Sequence, residues 1–169
     1  MATDLDHDAI KEKIVAILKA NSTLFTSSAE ANKIRAIEVG FPQATFQGAQ
    51  LSDAMLPYIY VTNSDAPFET ITTGDVVSNA IVVSYHTFNY DIVVVTLNMD
   101  SRVAENSLDD FQKLILETFT ADHNLTGVGS PSVDDSQVSR VDRLRVGTGD
   151  RGRGIQGRVI TLTCRKVTG

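Results

Sequence analysis

The chain has no tryptophan, one cysteine and four prolines among its 169 residues, and no apolar run of any length. Each scarcity closes off a class. A lone Cys164 excludes an internal disulfide and a four-thiolate metal site, so stability must come from packing or from assembly. Runs such as Ile92 to Val95 fall far short of the roughly 18 residues a membrane-crossing helix needs, so no membrane span is expected. The segment Met1 to Asp8 is acidic where a secretory leader would be basic and then apolar, so no signal peptide is expected. No G-x-S-x-G elbow occurs, and His7, His86 and His123 stand apart with no histidine or second cysteine at ligand spacing.

What remains is ordinary globular material, 42% hydrophobic and 21% charged, of a length suited to a single domain over residues 1–169. Its charge is unevenly placed. The net charge of −6 divides into −12 over residues 1–139, with seven Lys/Arg against nineteen Asp/Glu, and +6 over residues 140–169, with eight against two. Such a split suits either a basic element facing an anion or a basic edge facing an acidic neighbour.

Ile10, Ile14, Ile17 and Leu18 recur at helical spacing, with Lys11, Glu12, Lys13 and Lys19 on the other face, and predict a helix over about residues 5 to 20. Asp4, Asp6 and Asp8 supply carboxylates to its start, and Asn21 stops it. Short β-branched and aromatic runs follow at Ile34 to Val39, Pro57 to Thr62 and Phe68 to Thr73. The stretch from Ala80 to Met99 is the most β-like. Val93, Val95, Leu97 and Met99 alternate with Val94, Thr96 and Asn98, and the length predicts a bend or turn near His86 to Asn89. Ser107 with Asp110 reads as a capping box for a second helix with Leu108, Phe111, Ile115 and Phe119 on its apolar face, ended by Asn124 and Gly127. A polar loop, a mixed run from Val138 to Val146, a loop over Gly147 to Gly154 and a last strand from Ile155 to Val167 complete the chain. The expected fold is α+β: a mostly antiparallel sheet with two main helices on one face and a late β-hairpin.

Few residues invite chemistry. Gly147, Gly149 and Gly152 match G-x-G-x-x-G, but the pattern binds pyrophosphate only when a helix follows, and here a strand does. Asp4, Asp6 and Asp8 open like a calcium loop, yet Ala9 and Val15 occupy the positions of its glycine and bidentate glutamate. Cys164 falls on the apolar face of a strand, where a thiol is desolvated and inert. Asp109 and Asp110 read as helix-start carboxylates. Asn21 and Asn124 head glycosylation-type tripeptides that mean little in a chain with no expected leader. No pattern calls for a catalytic residue, a metal or a cofactor. The basic end is the exception: Arg143, Arg145, Arg151, Arg153 and Arg158 form a candidate surface for a neighbouring subunit, a connector or DNA. Guanidinium forks recognise carboxylates and phosphates alike, and no aromatic residue for base stacking occurs after Phe119.

The N-terminal amphipathic helix, Leu56-Pro-Tyr-Ile-Tyr-Val61, the strand Asn89 to Met99, the helix ending Leu114-Ile-Leu-Glu-Thr-Phe119 and the turn Asn124-Leu-Thr-Gly127 together resemble the tail terminator and tail completion proteins of long-tailed phages. The resemblance spans nearly the whole chain in the order of its elements. It implies a non-enzymatic virion subunit in the tail or neck, assembled in the host cytoplasm. It further implies a homo-oligomeric ring, commonly hexameric, whose partners are the tail tube protein and the head–tail connector, with transient contact to genomic DNA in the lumen. The Arg/Gly-rich late loop departs from that pattern. A small nucleic-acid-binding protein using the basic C-terminal segment, or another neck, connector or minor tail protein, are the alternatives the residues leave open.

Overall fold

Helix α1 (His7–Ala20) starts where the aspartates place it. Asp6 is its cap, its Oδ1 accepting the Asp8 and Ala9 amides at 3.1 Å each, and Asn21 closes it by donating its backbone N–H to the Leu18 carbonyl. The computed structural model describes residues 6–21, 23, 34–40, 56–64, 69–73, 83–97, 101–126, 133–148 and 154–168. Ile10, Ile14, Ile17 and Leu18 are buried as their spacing requires. Lys13 departs from expectation: it is only 4% exposed rather than on the polar face. Burial holds its ammonium below the usual lysine range, and the Asp122 carboxylate partly opposes that shift.

Six strands follow: β1 (Ala36–Val39), β2 (Tyr58–Asn63), β3 (Glu69–Thr73), β4 (Val83–Leu97), β5 (Asp135–Thr148) and β6 (Gly154–Thr168). They form one sheet in the order β1-β2-β4-β6-β5, with β3 also on β4. Among the described residues only β1 and β2 are parallel; the other pairings are antiparallel, and β5 and β6 make the expected late hairpin.

The bend or turn expected near His86 to Asn89 does not interrupt the strand. β4 runs unbroken because two short strands share one of its sides: β3 takes Val83 to Thr87 and β2 takes Tyr90 to Val95. On the other side β6 pairs with it from Ser84 to Leu97. Strand length is thus set by having a full set of partners, not by the local sequence.

Helix α2 (Ser101–Ala121) begins six residues before the expected capping box. Ser107 lies inside it and donates its hydroxyl to the Val103 carbonyl at 3.0 Å, so it caps nothing. The apolar stripe extends one turn further back, with Ala104 as buried as Leu108, Phe111, Ile115 and Phe119. Asp109 and Asp110 are therefore mid-helix residues, not first-turn ones. At the far end Leu125 adopts a positive φ of 53° with its side chain fully buried, and the Asp122 carboxylate accepts the Thr126 amide at 2.7 Å. The left-handed residue is that leucine. Gly127 lies outside the described residues.

Both helices pack on one face of the sheet. Ile10, Ile14, Leu18, Leu108, Phe111, Ile115 and Phe119 share a core with Ile59, Val61, Tyr90, Ile92, Val94, Ile160, Leu162 and Cys164. The opposite face holds a smaller cluster of Leu56, Tyr58, Tyr60, Val93 and Val95, with Leu144 and Val159 against it. The clean alternation of Val93 and Val95 with Val94 reports two buried faces. Strand spacing is tight at Gly157, where a side-chain carbon would stand 2.7 Å from the Val94 carbonyl oxygen and 3.3 Å from Leu144. Only glycine fits there without a shift.

Candidate functional site

The basic residues of the late hairpin do not form one free surface. Val141 pairs across the hairpin with Ile160 and Arg143 with Arg158, which puts these residues on the helix-covered face. There Arg158 meets α2. Its Nη2 donates to Asp109 Oδ1 at 2.7 Å and lies 3.3 and 3.4 Å from the two carboxylate oxygens of Glu105. Arg143 Nη2 reaches the same Glu105 at 3.2 Å. The four side chains balance in charge and grade from the interior outward: Arg158 is 8% exposed, Glu105 32%, Asp109 64% and Arg143 71%.

This arrangement fixes what each arginine can do. A nearly buried guanidinium without carboxylates would cost several kcal/mol, so Arg158 depends on α2 and ties β6 to it. Its Nε is buried with no partner among the described residues, which adds to the cost of its position. The outer pair, Arg143 with Glu105, is solvent-screened and worth at most about 1 kcal/mol, which leaves most of the Arg143 fork open to another carboxylate. Arg140 pairs with Asp142 on the same strand. Arg145 lies on β5 opposite Gln156. Arg151 and Arg153 lie outside the described residues. The partners Glu105 and Asp109 were missed in the sequence, although their four-residue spacing on one helix flank was the signal for them.

Of the other sequence candidates, Asp4 lies outside the described residues, Asn124 has its Oδ1 buried without a hydrogen-bond partner among those described, and Asp8 and His7 have structural partners. Asp8 pairs with Lys11 at 2.8 Å, and that hydrogen bond and charge hold its carboxyl below the usual range. His7 Nδ1 lies 2.8 Å from the Tyr90 hydroxyl, with its ring edge-on to Phe88. Cys164 is fully buried, and burial, reinforced by the charge of Asp135, pushes its thiol up to about 12. The residue that follows the glycine-rich loop, Gly154, opens a strand. Among the described residues no three His, Cys, Asp or Glu side chains converge to hold a metal ion, and no helix is long and apolar enough to cross a membrane.

Two concave places remain. On the face away from the helices, a groove of about 550 Å³ is floored by a polar ladder. Thr161 donates to Asp91 Oδ1 and Thr163 to Asn89 Oδ1, both at 2.7 Å, and Ser139 Oγ lies 2.8 Å from the Thr163 hydroxyl. On the helix side, a pocket of about 280 Å³ opens between the end of α2 and the start of β5, among Leu116, Thr120, His123 and Val138.

No family model matches the chain, and no curated protein matches it. Among solved structures, a chain from the virion of a native gene transfer agent particle is similar over 92% of this chain and 92% of its own, at 13% identity and a TM-score of 0.49.

Proposed function

We propose that this chain is a structural subunit of a tailed, phage-like particle. In this reading it forms a homo-oligomeric ring, commonly hexameric in kind, at the head-proximal end of the tail tube, where it ends tube growth and joins the tube to the head connector. The observation that carries the reading is the asymmetry between the two ends of the sheet. β1, with Glu38, forms one edge and β5, with Arg140 and Arg143, forms the other, in a chain whose charge divides the same way. A ring needs a heterologous interface in which one edge meets the opposite edge of the next copy, and complementary charge orients that encounter. The order of elements seen in the sequence, helix, sheet, helix and late hairpin, supports the same reading.

The nucleic-acid alternative is weakened by where the arginines go. Arg158 is turned inward onto Glu105 and Asp109, and the exposed Arg143 and Arg140 each share their charge with a carboxylate, so the outward positive charge is smaller than composition suggests. DNA in a lumen would meet a modest positive charge, compatible with passage.

The test is the mass of the purified protein by light scattering after size exclusion, alone and with tail tube subunits. A ring-sized species, or a monomer that becomes one on adding tube protein, is expected. A persistent monomer that ignores the tube but shifts on duplex DNA with a steep salt dependence would replace this reading with the alternative.

A further inference from the structure

We infer that the seam between α2 and the outer edge of β5 is a docking groove for an extended acidic segment of a partner chain, which adds to the sheet as a seventh strand. A ring contact through the same β5 edge would cover this seam, so the groove is a property of the unassembled subunit. Three observations meet at the seam. First, β5 is a 14-residue edge strand that pairs only with β6 among the described residues, and Gln137, Ser139, Arg140, Val141 and Arg143 along it are exposed. An edge strand offers backbone donors and acceptors to any extended chain. Second, α2 lies beside that edge and antiparallel to it: Glu105 meets Arg143 near one end of β5, while Leu116 and Thr120 share a pocket with Val138 near the other. A strand laid on the edge would have alternate side chains facing this helix. Third, the seam is chemically graded, with the pocket of about 280 Å³ beside Leu116 and Val138 at one end and the exposed Arg143 at the other.

The grading specifies the guest. One side chain facing the helix must be apolar, to fill the pocket, and another must be a carboxylate, to take the open part of the Arg143 fork. Val138 and Arg143 are five residues apart on β5, but the bulge between them absorbs one, so they face Leu162 and Arg158, four positions apart on β6, and a guest strand in the same register meets them four positions or roughly 13 Å apart. Four is even, so both anchors fall on the same face of one strand. The expected signature is a glutamate or aspartate followed, in antiparallel orientation, by an apolar residue four positions later. The bulge at Ser139, between the Val138 and Arg140 pairings, divides the edge into two short ladders. It keeps the edge from recruiting arbitrary strands, because a guest must satisfy both anchors across an irregular centre.

The experiment uses the full chain, diluted until light scattering gives the monomer mass, and a fluorescein-labelled peptide, Thr-Glu-Thr-Val-Thr-Leu-Thr, read by anisotropy, beside a shifted peptide, Thr-Thr-Glu-Val-Thr-Leu-Thr, of the same composition. Two variants accompany it: Arg143→Glu at one anchor, and Thr120→Phe to plug the pocket from an exposed helix position. Both are checked for an unchanged circular dichroism spectrum. The first peptide is expected to bind at least tenfold more tightly than the shifted one. Each variant should lose that advantage, and a peptide with lysine in place of glutamate should regain it on Arg143→Glu. Equal binding of the two peptides, binding insensitive to Thr120→Phe, or no binding at millimolar peptide overturns the groove and leaves the ring measurement untouched.

Discussion

Strand β6 has two faces that solve burial by different means. Ile160, Leu162 and Cys164 are fully buried beneath α2 and sit among other apolar side chains. Between them, Thr161 and Thr163 face the other way and are held by hydroxyl bonds to Asp91 and Asn89 of β4. The helix-covered face depends on filled volume, which nothing else can supply once removed. The open face depends on hydrogen bonds, which water can replace.

The largest expected effect strikes both faces together. Tyr90 and Cys164 on the helix side and Tyr58 and Tyr60 on the other all have their ionisation raised, in each case chiefly by burial. The glutamate hydrogen bond adds to it at Tyr58. Tyr60 moves from 10.0 to about 12. Because the folded values lie above the unfolded ones, the fold binds these protons more tightly. The stability they contribute is complete below about pH 9 and is lost as pH climbs toward 12 and beyond. Alkaline unfolding monitored by circular dichroism should begin in that window, and Tyr60→Phe should make its pH dependence shallower.

Single substitutions then rank the two faces. Ile160→Ala empties volume under α2 and should cost about 4 kcal/mol in denaturant unfolding. Arg158→Ala strands the carboxylates of Glu105 and Asp109, but these are partly hydrated, so about 3 kcal/mol is expected, and Arg158→Met should recover part of it. Gly157→Ala forces β6 away from the Val94 carbonyl and should cost about 2 kcal/mol. Thr163→Val removes hydroxyl contacts to Asn89 and Ser139 that water can replace, with an expected loss of about 1 kcal/mol. A Thr163→Val cost near that of Ile160→Ala would erase the distinction between the faces.

The helix-covered face was legible in the sequence because its signal is periodic. The spacing of Ile10, Ile14 and Leu18 and the alternation of Ile160, Leu162 and Cys164 each marked a buried stripe. Boundaries set by partners elsewhere were not legible. β4 runs straight through His86 to Asn89 because β3 and β2 divide one of its sides, and no local residue records that. Ser107 with Asp110 imitated a helix start, while Ala104, one turn earlier on the same stripe, was the better clue. Lys13 was assigned to solvent by charge alone, although its position adjoins Ile14 on the apolar side. At the basic hairpin the sequence showed the arginines but not their destinations. Those follow from the register that sets Arg143 opposite Arg158, and from α2 passing over both.

The place of β6 in the sheet orders events during synthesis. It is the last strand in chain order, yet it lies between β4 and β5 rather than at an edge. As the chain leaves the ribosome, β1 to β4 and both helices emerge while one whole side of β4, from Ser84 to Leu97, still waits for its partner. Until then Tyr90, Ile92 and Val94 lack half of their shelter, and the nascent protein offers a long apolar edge to its surroundings. The gap can close only once β6 is available to pair with β4 and β5. Ribosomes stalled before residue 154 should therefore carry chains that chaperones hold, and those carrying all 169 residues on an added linker long enough to clear the exit tunnel should carry chains that chaperones release.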